Sequence, residues 1–141
     1  MRPLVLLILI ICNSGYLSQN NCENRKSNFE SSIYPYNKYT TLTNLGKNEY
    51  LVHQLDKARE YLACLKNNGD STGYDFEWIN KEIALNYYDQ AELNEDNQDD
   101  YEKVLDYFFK SKECFDVLLK SNKLDSIQEQ DARKVYTNIY K

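Results

Sequence analysis

The stretch that decides the fold is Glu49-Tyr50-Leu51-Val52-His53-Gln54-Leu55-Asp56-Lys57-Ala58-Arg59-Glu60-Tyr61-Leu62-Ala63-Cys64-Leu65-Lys66. Leu51, Leu55, Ala58, Leu62 and Leu65 recur at alternating spacings of four and three, which lays one apolar stripe along a single helical face. Asn67-Asn68-Gly69 then supplies a helix stop, since glycine adopts the left-handed turn that closes a helix. The same pattern returns downstream. A second helix is expected from Asp75 as N-cap through Trp78, Ile79, Ile83, Tyr87 and Ala91. After the polar stretch Asn94–Gln98, a third opens at Asp99 with Glu102 three residues on, and continues through Val104, Leu105, Phe108, Phe115 and Leu119. Ser126 and Glu129 form a capping box for a fourth, with Ile127, Ala132, Val135, Tyr136 and Ile139 on its inner side. Four amphipathic helices over 49–141 predict an all-α domain, either an antiparallel bundle or two stacked helical hairpins.

Upstream, the pattern changes character. Tyr16 to Asn48 shows no sustained period, is rich in Asn, Ser, Thr and Tyr, and is broken by Pro35; it reads as an irregular arm, 16–48. Tyr34, Tyr36 and Tyr39 give that arm enough aromatic area to dock. Residues 1–15 read as a secretory signal peptide, with Arg2, the apolar run Leu4 to Ile11 and the small or polar Cys12-Asn13-Ser14-Gly15. The run falls well short of the roughly 20 apolar residues that span a bilayer, so stable membrane insertion is not expected. Leu9-Ile10-Ile11-Cys12 resembles a bacterial lipobox, which implies acylation of Cys12; Ile11 stands where a small residue is usual, so anchoring there is the lesser reading. Secretion, or release into a periplasm, is the expectation.

Composition narrows the chemistry. Among 141 residues, 22 Asp and Glu outweigh 17 Lys and Arg, for a net charge of −5. Such a chain has no field to attract phosphate backbones, so nucleic acid is not an expected partner. With one histidine, His53, multi-histidine metal sites are excluded by counting. His53 and Cys64 lie about three helical turns apart, roughly 16 Å along the axis, too far for a Cys–His dyad. Carboxylate pairs such as Asp56 and Glu60 read as surface charge. No catalytic residue, cofactor or metal ligand is assigned, and the chain reads as a non-enzyme.

Removing the leader takes Cys12 with it and leaves Cys22, Cys64 and Cys114, an odd number. On a helical wheel Cys64 lies about 140° and Cys114 about 115° from the centre of its own apolar stripe. They sit at matching depth in helices expected to run parallel. Cys64–Cys114 is therefore the first candidate disulfide, Cys22–Cys64 and Cys22–Cys114 are the alternatives, and Cys22 is the first candidate odd thiol. A disulfide-linked dimer follows if that thiol pairs between chains. Tyr50, Lys57, Tyr61 and Cys64 share one flank of the first helix, a secondary face to be covered by the arm or by a partner.

From Glu82 to Glu102 there is no Lys or Arg but a run of acids that includes Asp89, Glu92, Asp96, Asp99 and Asp100. A solvated loop beside a helix N-terminus accounts for it; a patch for a basic partner is the functional alternative. Aromatic residues exceed what one stripe per helix needs, and Tyr88, Tyr107 and Phe109 are the excess. The candidate partner surface is thus Tyr50, Tyr61, Tyr88, Tyr107, Phe109, Asp96, Asp99 and Asp100.

Asp100-Tyr101-Glu102-Lys103-Val104-Leu105-Asp106-Tyr107-Phe108-Phe109-Lys110-Ser111 resembles the second helix of a tetratricopeptide repeat. Val104 and Ser111 take the places of the small packing residues and Phe108 that of the aromatic. The resemblance implies helical hairpins that scaffold protein or peptide binding. The chain departs from the pattern at Leu85 and at Asp116, which replaces the closing proline, and it carries no 34-residue period. The expected function is a small exported interaction protein whose partner is a protein or peptide. The alternative is a secreted carrier of a small apolar ligand.

Overall fold

The computed structural model describes residues 22–96, 101–120 and 126–139. The expected leader, 1–15, and Cys12 within it lie outside them. Every regular element among the described residues is a helix: α1 (22–32), α2 (Tyr36–Thr40), α3 (Asn44–Asn67), α4 (Tyr74–Asp96), α5 (Tyr101–Lys120) and α6 (Ser126–Ile139). From α3 onward, helices pack in chain order, α3 on α4, α4 on α5 and α5 on α6. Opposed residues show that α3 and α4 run antiparallel, since Leu51 faces Asn86 and Tyr61 faces Asp75. In the α4–α5 pair, Ala84 faces Ser111 and Asn94 faces Lys103, which is antiparallel again.

Helix ends follow local chemistry. Thr43 caps α3 through its hydroxyl, which accepts from the Gly46 N–H at 3.2 Å. This places the start five residues ahead of Glu49, in a stretch where Leu45 is exposed and hydropathy gives no cue. At the other end Gly69 adopts φ 74°, its N–H donates to the Lys66 carbonyl, and the Asp70 N–H donates to that of Leu65. That pairing is a Schellman closure, and it needs the residue without a Cβ. Helix α4 runs on to Asp96, past the expected break at Asn94, because Asn94 is buried and bonded.

The arm departs most from expectation. Residues 22–32 are helical and enter the core, where Phe29 is fully buried against Leu55, Ala58, Tyr61, Ile79 and Ile83. Phe29 meets the Trp78 ring edge-on at 5.3 Å. Arg25 pairs with Glu60 of α3 at 2.6 Å and Lys26 with Asp75 of α4 at 3.1 Å. The disulfide is Cys22–Cys64, with Cα atoms 5.6 Å apart, so the expected Cys64–Cys114 pairing is corrected and Cys22 is not the odd thiol. Among the described residues Cys114 is the free cysteine, half-buried between the two main hydrophobic clusters, and burial pushes its thiol up to about 11. The physical reason is the helical arm: it lies across the flank of α3 that bears Cys64 and brings Cys22 within bridging range.

Helix α4 occupies the middle of the stack. Phe76, Ile79, Ile83 and Tyr87 face the α1–α3 side, Ala84 meets Phe115, Leu118, Ala132 and Val135, and Ala91 meets Val104 and Phe108. Small Ala84 and Ser111 let α4 and α5 approach closely, and the Ser111 hydroxyl donates to the Ala84 carbonyl at 2.7 Å. Polar residues are buried here too. Asn86 donates to the Leu51 carbonyl at 3.0 Å and to Gln54 at 2.8 Å, Gln90 donates to Asn86, and Asn94 donates to the Gln90 carbonyl. These three α4 amides are thereby partnered, as burial requires.

Candidate functional site

A solvent-open cleft of about 490 Å³ lies where the start of α3 faces the end of α4, with the arm along one side. Its walls follow from helical spacing. Lys47, Tyr50, Leu51 and Gln54 are one face of α3, and Asp89, Glu92, Leu93 and Asp96 the matching face of α4, each set in an i, i+3, i+4, i+7 pattern. The third side is aromatic: Tyr34 from the α1–α2 connection, with Tyr36 and Tyr39 from α2. Pro35 sets the extended entry to α2 (φ −56°, ψ 144°) and so turns these rings toward α3.

The rings are interlocked. Tyr34 stacks on Tyr50 at 4.6 Å, Tyr39 packs on Tyr50 at 5.4 Å, and the Tyr50 hydroxyl accepts from the Tyr34 N–H at 3.1 Å. Burial pushes the Tyr39 and Tyr50 hydroxyls up from their ordinary value, and the Asp89 carboxylate adds to the effect. Both stay neutral phenols at physiological pH. Two ring faces already hold ammonium groups of the chain itself: Lys38 Nζ lies 3.8 Å from the Tyr34 centroid and Lys47 Nζ 5.5 Å from that of Tyr39. Both lie within the roughly 6 Å reach of a cation–π contact.

The candidate partner residues distribute unevenly. Tyr50 lines the cleft and Asp96 stands on its exposed edge. Tyr61 does not belong to a partner surface: it is 1% exposed, and its hydroxyl donates to Asp75 at 2.7 Å. Burial pushes that phenol well above its usual range, with Asp75 adding to the shift. The arm occupies the flank of Tyr50, Lys57, Tyr61 and Cys64, with α1 over Tyr61 and Cys64 and with Tyr34 and Tyr39 on Tyr50. Tyr88 packs edge-on against Phe108 and donates to Glu92, while Tyr107 stacks on Tyr87 at 6.3 Å, so both serve packing and are half-buried. Phe109 is 48% exposed on α5, away from the cleft lining. Asp99 and Asp100 lie outside the described residues.

Asp89, Glu92 and Asp96 were legible as part of an acidic run, and their one-face spacing was readable. Their convergence with Tyr34, Tyr36 and Tyr39 was not, because it depends on how the arm folds back. The cleft offers carboxylates that can meet a cation, phenol hydroxyls that can hydrogen-bond and ring faces that can stack. Among the described residues no three His, Cys, Asp or Glu side chains gather as metal ligands, and no helix is long and apolar enough to cross a membrane. Compared with protein-family models, curated proteins and solved structures, the chain matches none.

Proposed function

We propose that this protein is a small exported helical module that binds a protein or peptide segment and performs no catalysis. The observation that carries the reading is the cleft, whose volume of about 490 Å³ falls within the range of ligand sites and whose rims are built by three elements. Export is supported by the leader-like residues 1–15 and by the Cys22–Cys64 bridge, a bond suited to an oxidising compartment. The chain-order packing of antiparallel helix pairs supports a hairpin scaffold of the kind the tetratricopeptide resemblance of 100–111 implies. Phenols and carboxylates line the cleft, which favours a peptide over the small apolar ligand of the alternative reading.

Selection of dodecamer peptides from a phage library on the purified, oxidised protein tests this. Enriched peptides should bind the wild type, and Leu93→Arg, which places a bulky cation in the cleft wall, should abolish the binding without changing the circular dichroism spectrum. Peptides that bind Leu93→Arg as well as wild type would move the site elsewhere. Absence of any enriched sequence would remove the reading.

A further inference from the structure

We propose that the cleft recognises a basic peptide through a lysine side chain, and that the chain's own Lys47 holds the lysine position until the peptide arrives; this rests on the peptide-binding reading above. Three acidic side chains of α4, Asp89, Glu92 and Asp96, line one wall, and the opposite side presents the rings of Tyr34 and Tyr39. Carboxylates and aromatic faces share one preference, a positive charge, and differ in how they meet it. The carboxylates attract the charge from outside, while the rings grip an alkylammonium along its edge and face. Lys47 Nζ already lies over the Tyr39 ring, and both residues line the cleft, so an ammonium of the chain itself occupies this ring face. Lys38 over Tyr34 repeats the contact from the arm side. An acidic peptide would face like charge on the α4 wall; a neutral one would leave the carboxylates without gain.

A lysine from a partner competes with Lys47 for the Tyr39 ring and adds the attraction of the α4 carboxylates. Loss of Lys47's charge therefore strengthens binding, the opposite of what a residue that merely supports the fold would do. Loss of Asp89's charge weakens it.

The test uses the capped peptide Ser-Lys-Ser-Lys-Ser-Lys, fluorescein-labelled, with its glutamate and acetyl-lysine counterparts, titrated by anisotropy against the oxidised full chain. The lysine peptide should bind at least tenfold more tightly than either counterpart. Lys47→Gln should tighten binding about fivefold, Tyr39→Leu should weaken it about fivefold, and Asp89→Asn should weaken it with a reduced salt dependence. Because Lys47→Gln is a gain of binding, a misfolded loss variant cannot mimic the result. Equal affinity for the acetyl-lysine peptide, or weaker binding by Lys47→Gln, overturns the proposal. So does n-butylamine binding as tightly as the peptide, since the site would then be one for small amines. If library peptides bind the cleft but carry no lysine, the proposal fails while the peptide-binding reading stands; if none binds, both fail.

Discussion

Tyr61 shows how one side chain ties three helices. Its ring shares the core with Phe29 and meets the Trp78 ring edge-on at 6.4 Å, and its hydroxyl shares the Asp75 carboxylate with the Lys26 ammonium. Burial alone would push the Asp75 carboxyl up, but the Tyr61 hydroxyl and Lys26 outweigh it and hold the group below its usual value. Such a group stabilises the fold above the unfolded carboxylate range, and that contribution is lost as pH falls below about 4. Lys26, raised chiefly by the same hydrogen bond to Asp75, contributes in the other direction and loses its share only as pH climbs past the lysine range. Tyr61→Phe keeps the ring and removes the hydroxyl. It should cost about 1–2 kcal/mol at pH 7. Urea unfolding at pH 7 and pH 2 checks this, since the gap between variant and wild type should narrow in acid. An undiminished gap at pH 2 would dissociate Tyr61 from the Asp75 titration. From the sequence, Tyr61 reads as part of a secondary face to be covered by the arm or by a partner, because the wheel places it off the leucine stripe; that α1 is the cover is a tertiary fact.

At the scale of elements, legibility followed apolar content. Helices α3 and α5 announce themselves, α5 with Val104, Phe108, Ser111, Phe115 and Leu118 all buried at spacings of four and three. Helix α1 has only Cys22 and Phe29 as apolar anchors, seven positions apart, among Asn, Ser and charged residues of modest helix propensity. Two turns of correct spacing are visible in hindsight, and too thin to outvote composition. Helix α4 is legible from its apolar stripe, but its burial on several sides is not, since Asn86 and Gln90 carry no apolar signal and Asn94 falls in the polar stretch expected to follow the helix. The pairing of α1 with α3 depends on the bridge as well as on Phe29. Its ends are 42 residues apart in sequence, and a loop of that length corresponds to about 3–4 kcal/mol of denatured-state entropy. A Cys22→Ser, Cys64→Ser variant should lose stability of that order in chemical denaturation. Its amides in 22–32 should exchange hydrogen faster than those of α4, because α1 keeps its two ion pairs but loses its tether. Uniform acceleration across all helices would show that α1 does not unfold separately.

Over the whole molecule, the stack is built from contacts between neighbours in the chain, with α4 as the shared member. That arrangement places the cleft at one end of the α3–α4 pair, where the helices present side chains and the arm closes the third side. The fold class was legible in sequence because it needs only periodicity. The site was half legible: an acidic face on one helix and a tyrosine-rich arm were both visible, while their meeting is a tertiary fact.

The Cys22–Cys64 bond also sets a schedule. Three of the cleft's four tyrosines belong to the segment that follows α1, so the aromatic side of the cleft depends on a helix fastened by oxidation. A chain still inside a reducing compartment would carry the acidic α4 wall without its aromatic counterpart. Binding of the lysine peptide should then fall at least tenfold in dithiothreitol while helical circular dichroism persists, and recover on reoxidation. Unchanged affinity in the reduced chain would mean that the arm closes the cleft without its bridge. On the proposed reading of export and lysine-peptide binding, the disulfide would determine when the protein becomes able to bind as well as how firmly it is folded, and the newly made chain would stay silent toward basic partners until it is oxidised.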